Sequence, residues 1–444
     1  MALRICVQGE QLGSPPGLHS MRTIFVLSIS LALLATACGS GASSDSSSVP
    51  VSEPTAAVVS ELVADGPDCG FEADLDADRI EVAQIPGDGR EANVSALDFP
   101  DDSSFDPPLV DLNRILSGGP PPDGIPPIDA PIFQTASTVN WIECNEPVLA
   151  LSVAGATRGY PVQILTWHEL VNDTFEDIPV TVSYCPLCNS SLAYLRDLGD
   201  RTVTFGTSGR LFNSSLVMYD RETESLWTHF NGAAVVGELA GTELELLPMQ
   251  TLSWESFLQA NPDALVLTRE TGFDRSYGQN PYSGYDDVNT SPFAFDGESD
   301  PRLPAKERIV GIRRNDDSAA VVLESLASAG VIETEVDGDT LSLWHLPGTA
   351  TALETNDIAD GRDVGAVGVY VPMADGQILT FARTSLSAED GGNFTDDETG
   401  SVWNIQGLAL SGPLAGTQLA QVEHLDTFWF ALAAFEPDTS VVNP

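Results

Sequence analysis

Two cysteines separated by two residues, Cys185-Pro186-Leu187-Cys188, carry the most pointed chemistry in this 444-residue chain. Thiols at that spacing chelate a soft metal or close a redox disulfide. A thioredoxin-type dithiol needs its first cysteine at the start of a helix, where backbone NH groups stabilise the thiolate. Here the run after Cys188, Asn-Ser-Ser-Leu-Ala-Tyr-Leu-Arg, offers no helix start. Pro179 to Tyr184 alternates apolar and polar residues, as a strand does. Strand, tight turn, strand is the geometry of a metal knuckle, in which both sulfurs point the same way. A knuckle supplies only part of a coordination shell, so further ligands must come from elsewhere. His168 is the first candidate, with Glu169 beside it and Asp173 nearby, and His229, just after Trp227, is the second. His345 and His424 lie far along the chain and reach the thiols only if a second half packs against the first. Two thiolates with an imidazole suit Cu(I) or Zn(II). A redox-active dithiol and an inert disulfide remain the alternatives.

The other cysteines read differently. Met21 to Gly39 has a basic start, an apolar run from Ile24 to Ala37, and small residues directly before Cys38. That is the pattern of a bacterial lipoprotein signal, and the apolar run is shorter than the roughly 20 residues a membrane-spanning helix needs. Residues 1–37 are therefore expected to be a signal region with its true start at Met21, and Cys38 a lipid anchor. Residues 38–66, rich in Ser, Gly and Ala, read as a flexible tether. Cys69 and Cys144, in the extension 67–144, are expected to pair as a staple. Closing so long a loop stabilises a fold by on the order of 4 kcal/mol in the chain-entropy model. Either thiol is alternatively a donor to the metal.

The net charge is −46, from 65 acidic and 19 basic residues, and Lys306 is the sole lysine. Such a field repels nucleic acid and anionic lipid, which excludes nucleic acid as a partner. A hydrophobic fraction of 42% permits a real core.

The elements that must position the thiols recur along the chain. Asp220-Arg-Glu-Thr-Glu-Ser-Leu-Trp227 returns as Asp396-Asp-Glu-Thr-Gly-Ser-Val-Trp403, and Gly237-Glu-Leu-Ala-Gly-Thr as Gly412-Pro-Leu-Ala-Gly-Thr. Trp254 and Pro262-Asp263 match Trp429 and Pro437-Asp438. The expected fold is α+β and β-dominant, an internally duplicated domain with two degenerate copies packed together. The copies span 145–265, with the thiols, and 308–440, without cysteines. A connector, 266–307, holds Tyr277, Tyr282 and Tyr285 and reads as a long ordered linker or lid. A helix is expected over Tyr160 to Val171 and another from Ser253, with a hairpin of Ser191–Arg196 and Arg201–Gly206 turning at Leu198-Gly-Asp200. The Asp220, Glu222, Glu224 trio, mirrored at Asp396 to Glu398, reads as a structural turn.

Trp167-His-Glu-Leu, Tyr184-Cys-Pro-Leu-Cys188, Phe205-Gly-Thr-Ser-Gly209, Leu216-Val-Met-Tyr-Asp-Arg221, Ser225-Leu-Trp227 and Phe428-Trp-Phe-Ala-Leu together resemble the bacterial family catalogued as DUF3179. The resemblance spans about residues 145 to 440 and implies no particular activity. The family pattern has glycine after the second cysteine, where this chain has Asn189, the side chain most tolerant of a left-handed backbone. The expected protein is lipid-anchored in the bacterial cell envelope, outside the cytoplasm, and binds Cu or Zn at the knuckle. The rivals are a thiol-disulfide oxidoreductase and a non-enzymatic surface binding or scaffold protein whose tyrosine-rich connector meets an unidentified small molecule or protein. The sequence names no reaction.

Overall fold

A computed structural model describes residues 69, 78–315, 317–384 and 392–442. The signal region, Cys38 and nearly all of the tether and the first part of the extension lie outside the described residues. Among those described, no helix is long and apolar enough to cross a membrane.

Alternating and β-branched runs make strands the dominant element, and the four α-helices among the described residues are single short segments. In the first half, Pro147–Val153 and Ala156–Pro161 form an antiparallel hairpin that feeds the helix Val162–His168. Leu170–Phe175 and Ile178–Cys185 form a second hairpin, and Ser190–Leu195 adds to it with Cys185 opposite Ser190. Further on, Met249–Ser253 pairs with Pro147–Val153 and enters the helix Trp254–Ala260. Ser253 caps that helix, its Oγ accepting the Ser256 N–H at 3.1 Å. Leu265–Leu267 then returns parallel to Ala156–Pro161 and antiparallel to Ile132–Thr135 of the N-terminal extension.

From Arg308 the elements follow in the same order. Arg308–Arg314 and Asp317–Val322 feed the helix Leu323–Ala329, and Val331–Val336, Asp339–Leu346 and Ala366–Tyr370 follow as a three-stranded sheet. His424–Phe428 pairs with Arg308–Arg314 and enters the helix Trp429–Phe435, after which Ser440–Val442 returns parallel to Asp317–Val322. One apolar cluster gathers Cys185, Cys188, Leu192 and Trp227 with Ile309, Leu425, Phe428 and Trp429. Burying these large side chains together is what fixes the knuckle against strands from far along the chain.

The acidic turns are built alike. Asp220 accepts from Thr223 N at 2.6 Å, Ser225 N at 3.2 Å and Trp227 Nε1 at 2.9 Å. Asp396 accepts from Thr399 N at 2.6 Å, Ser401 N at 3.1 Å and Trp403 Nε1 at 2.9 Å. Each carboxylate is saturated by its own turn, the structural role its spacing suggests.

Two local expectations shift. The helix ends at His168, three residues before Val171, because Glu169 turns to φ 59° and its N–H closes on Leu165 O. Ser190–Leu195 pairs with Ile178–Cys185 and not with a strand at Arg201–Gly206. The Leu198-Gly199-Asp200 turn exists, with Leu198 N bonded to Arg201 O at 2.8 Å, but only the Asp197 to Thr202 bridge follows it. The next strand starts at Phe205 and pairs with Ser215–Asp220 instead.

Candidate metal centre

Cys185 ends one strand of the hairpin, and Pro186 to Asn189 turn back into Ser190. Asn189 adopts φ 51°, the left-handed backbone that glycine or asparagine takes most readily. Its side chain earns its place: Oδ1 accepts from Tyr184 OH at 3.2 Å and from Arg308 at 3.3 Å. The turn is clamped from the second half, where Thr427 Oγ1 and Phe428 N both donate to Cys188 O, at 2.8 and 3.1 Å.

His229 follows the strand Leu226–Thr228, and its N–H bonds Leu216 O at 3.0 Å. The sheet thereby brings its ring to the knuckle. The donor atoms of Cys185, Cys188 and His229 all lie within 4.8 Å of one another, and all three residues are buried. Two metal–sulfur bonds of about 2.3 Å at a tetrahedral angle put the sulfurs about 3.8 Å apart, so shifts of about 1 Å or less close the site on an ion.

Hydrogen bonding fixes the imidazole tautomer. Ser183 Oγ donates to Leu192 O at 3.1 Å, so it accepts from His229 Nε2 at 2.8 Å. The proton sits on Nε2, and the Nδ1 lone pair is left bare. That buried nitrogen has no hydrogen-bond partner. A neutral imidazole with one nitrogen held by a hydroxyl and the other free is the form that ligates a metal. Burial, with Arg313 adding to it and Cys185 opposing, lowers the His229 pKa to about 4, so the ring is neutral in ordinary conditions.

The two thiols differ. Burial pushes Cys185 well above its usual range, with the bond to Cys188 adding to the rise. Burial also opposes ionisation of Cys188, yet hydrogen bonds from Cys185, Ser190 and Ser215 outweigh it and bring that thiol below its usual value. Cys188 is the first thiolate of the pair.

His168 is not brought to the thiols. Its Nδ1 lies 2.7 Å from Pro126 O and its Nε2 2.7 Å from Tyr277 OH, which occupies both nitrogens. The reason is the direction of its helix, which turns the ring toward the connector. Asp173 is likewise engaged elsewhere, accepting from Arg158, Tyr160 and Gln84. His345 bonds Val364 O at 3.0 Å and His424 bonds Val422 O at 3.0 Å, and neither belongs to the donor cluster at the knuckle. Cys69 and Cys144 are joined to each other as a disulfide, which removes them as donors. Cys185 and Cys188 are free thiols.

Glu169, which the sequence offered only as a neighbour of His168, is the residue whose place beside the thiols was not foreseen. It is buried beside Cys185 and hydrogen-bonded to Tyr282, and burial followed by the Cys185 field raises its pKa to about 8. Its backbone, φ 59° and ψ −32°, is one that L side chains avoid. The helix Leu323–Ala329, which likewise follows a hairpin, closes on Gly330 at φ 81° and ψ −39°. Matching the ends of the two helices in the sequence, Trp-His-Glu-Leu against Ser-Ala-Gly-Val, would have exposed a glutamate where glycine fits. Ser183 was also legible, since residues i and i+2 of a strand share a face and Ser183 precedes Cys185 by that spacing.

No curated protein and no solved structure matches the chain. A family model described as "Protein of unknown function (DUF3179)" matches residues 122–439. The match takes in both thiols, His229 and every strand that holds them, and the chain belongs to the DUF3179 family.

Proposed function

We propose that the protein is an extracytoplasmic, lipid-anchored metalloprotein that holds one soft cation, Cu(I) or Zn(II), on Cys185, Cys188 and His229. The observation that carries this reading is the convergence of donor atoms from three buried residues within 4.8 Å, one of which, His229, also carries a buried imidazole nitrogen with no hydrogen-bond partner. Leaving such a group buried without a partner costs about 1–3 kcal/mol, a cost that an ion would remove. Soft sulfur donors select copper or zinc over magnesium or calcium. Three protein ligands leave one position open, as in catalytic rather than structural zinc sites. The Cys69 to Cys144 disulfide suits an oxidising compartment, in keeping with export and anchoring through Cys38.

The two halves are proposed to descend from a duplication in which only the first copy keeps a metal knuckle. Support comes from the like order of strands and helices and from the matched Asp220 and Asp396 turns. At the place of Cys185 the second half has Leu346, the last residue of its corresponding strand.

The test is elemental analysis of full-length protein purified in detergent, with thiol titration before and after reductant. Stoichiometric copper or zinc that disappears in both Cys185→Ser and His229→Ala supports the reading. Protein without metal whose Cys185 and Cys188 are locked in a disulfide sinks it. A second reading, thiol-disulfide exchange, draws on the unequal thiols, one raised and one lowered. Burial of both sulfurs weighs against it, because exchange needs a thiolate that a partner can reach. A reversible reduction potential in metal-free protein would favour this second reading. Membrane attachment that survives Cys38→Ala counts against the anchor.

A further inference from the structure

Next to Cys185 the fold leaves a cavity of about 600 Å³, within the usual size of small-molecule sites. Glu169, Leu187 and Leu216 line it, and Leu187 belongs to the Cys185–Cys188 turn itself, which sets the cavity against the thiols. The connector contributes Tyr282 and Tyr285. That connector is ordered: Gly284 N and Tyr285 N bond Glu354 O and Leu353 O at 2.7 and 3.0 Å.

The lining reverses the charge of the molecule around it. In a chain of 65 acidic and 19 basic residues, this cavity has two cations, Arg210 and Lys306, against the single carboxyl of Glu169. Lys306 is buried, and its Nζ donates to Tyr285 O at 2.6 Å and Thr290 Oγ1 at 2.7 Å. Arg210 donates to Leu97 O at 2.6 Å. Both cations rest on neutral oxygens, and among the described residues neither has an ion-pair partner. The acidic neighbours of Lys306 are occupied elsewhere. Asp286 pairs with Arg362 at 3.0 Å and accepts from Thr351 at 2.8 Å, and Asp287 accepts from Asn289 N at 2.9 Å. A buried charge without a direct ion pair, such as that of Lys306, is costly, and the partly buried Arg210 lines the same space, which is large enough for a guest.

We propose that this chamber binds a small organic carboxylate with an apolar body, its charge met by Lys306 and Arg210 and its body lying against Tyr282, Tyr285 and Leu187. The mostly apolar lining favours a monoanion over a phosphate dianion, whose desolvation costs more. Tyrosine rings supply large contact area with few rotatable bonds. This names the ligand class of the site proposed above, and it rests on that reading only for the ligand's approach to the metal, because no residue it invokes is a metal ligand.

Calorimetric titration of full-length protein, metal-free and loaded with copper or zinc, with benzoate, benzamide and benzylamine tests the proposal. A charge-assisted contact predicts benzoate binding about tenfold more tightly than either isostere, in both forms of the protein. Lys306→Met and Arg210→Met should each erase about that factor for benzoate and leave benzamide unchanged. If buried Lys306→Met fails to fold, the half-exposed Arg210 still gives the answer. Equal affinity for benzoate and benzamide, a preference that survives in a folded variant of either cation, or no binding of benzoate at millimolar concentration overturns it. Benzoate binding by protein that retains no metal leaves the chamber standing and rejects the metal reading; metal retention without benzoate binding does the reverse.

Discussion

Replacing Glu169 with glycine should stabilise the protein, and the size of the gain follows from two separable causes. The first is backbone geometry. At φ 59° and ψ −32° a side chain costs roughly 1–2 kcal/mol, while glycine in the unfolded chain gives back roughly 0.5–1 kcal/mol in entropy. The second is the carboxyl. Its pKa rises from 4.5 in the unfolded chain to about 8 in the folded one, so folding takes up a proton between those values. A carboxyl with a raised folded pKa loses stability as pH climbs, and at pH 7 the loss is about 3 kcal/mol. Glu169→Ala removes the carboxyl and keeps the strain, whereas Glu169→Gly removes both. Because the side chain lines a cavity, neither change opens a new void in packed core. Urea unfolding of metal-free protein at pH 5 and pH 7 measures all of this. Both variants should gain on wild type as pH rises, and Glu169→Gly should exceed Glu169→Ala by up to about 1.5 kcal/mol at either pH. If glycine is less stable than alanine, the strain argument fails. If the pH slopes of all three proteins coincide, the desolvation argument fails.

Asp220→Ala and Asp396→Ala should each cost about 2–4 kcal/mol in urea unfolding, because each strands two backbone N–H groups and a tryptophan Nε1. A cost below 1 kcal/mol for either would show that water replaces the carboxylate freely. Asp173→Asn leaves the Arg158 guanidinium buried between Phe133 and Phe175 without its counter-charge, and should destabilise by about 3–5 kcal/mol; a change within thermal-shift error contradicts that. Cys69→Ser should lower stability by on the order of 4 kcal/mol under non-reducing conditions and abolish the effect of added reductant on the unfolding midpoint.

What could be read beforehand divides along a physical line. Alternation exposed the strand ending at Cys185, and the two-residue spacing of the thiols with the Asn189 turn foretold the knuckle, because these are properties of adjacent residues. Ser253 was equally legible as a cap, and the acidic turns at Asp220 and Asp396 advertised themselves by repetition. The choice between His168 and His229 was of another kind. His168 lies nearer the thiols along the chain than His229 does, yet the helix that carries it aims the ring at Tyr277. His229 arrives through the pairing of Leu226–Thr228 with Ser215–Asp220, a consequence of sheet order that no local period encodes. The clamp on Cys188 from Thr427 and Phe428 is more remote still, and only the packing of the second half creates it.

The complete enclosure of Cys185, Cys188 and His229 also governs time. If the proposed ion sits among them, its exit would need the connector tyrosines to part from the chamber or the strand ending at Phe428 to release the Cys188 carbonyl. Its residence would then be set by the frequency of those openings rather than by ligand exchange in water. A competition assay read within minutes would report that opening rate, and two metals of very different affinity would look alike until the protein had breathed many times.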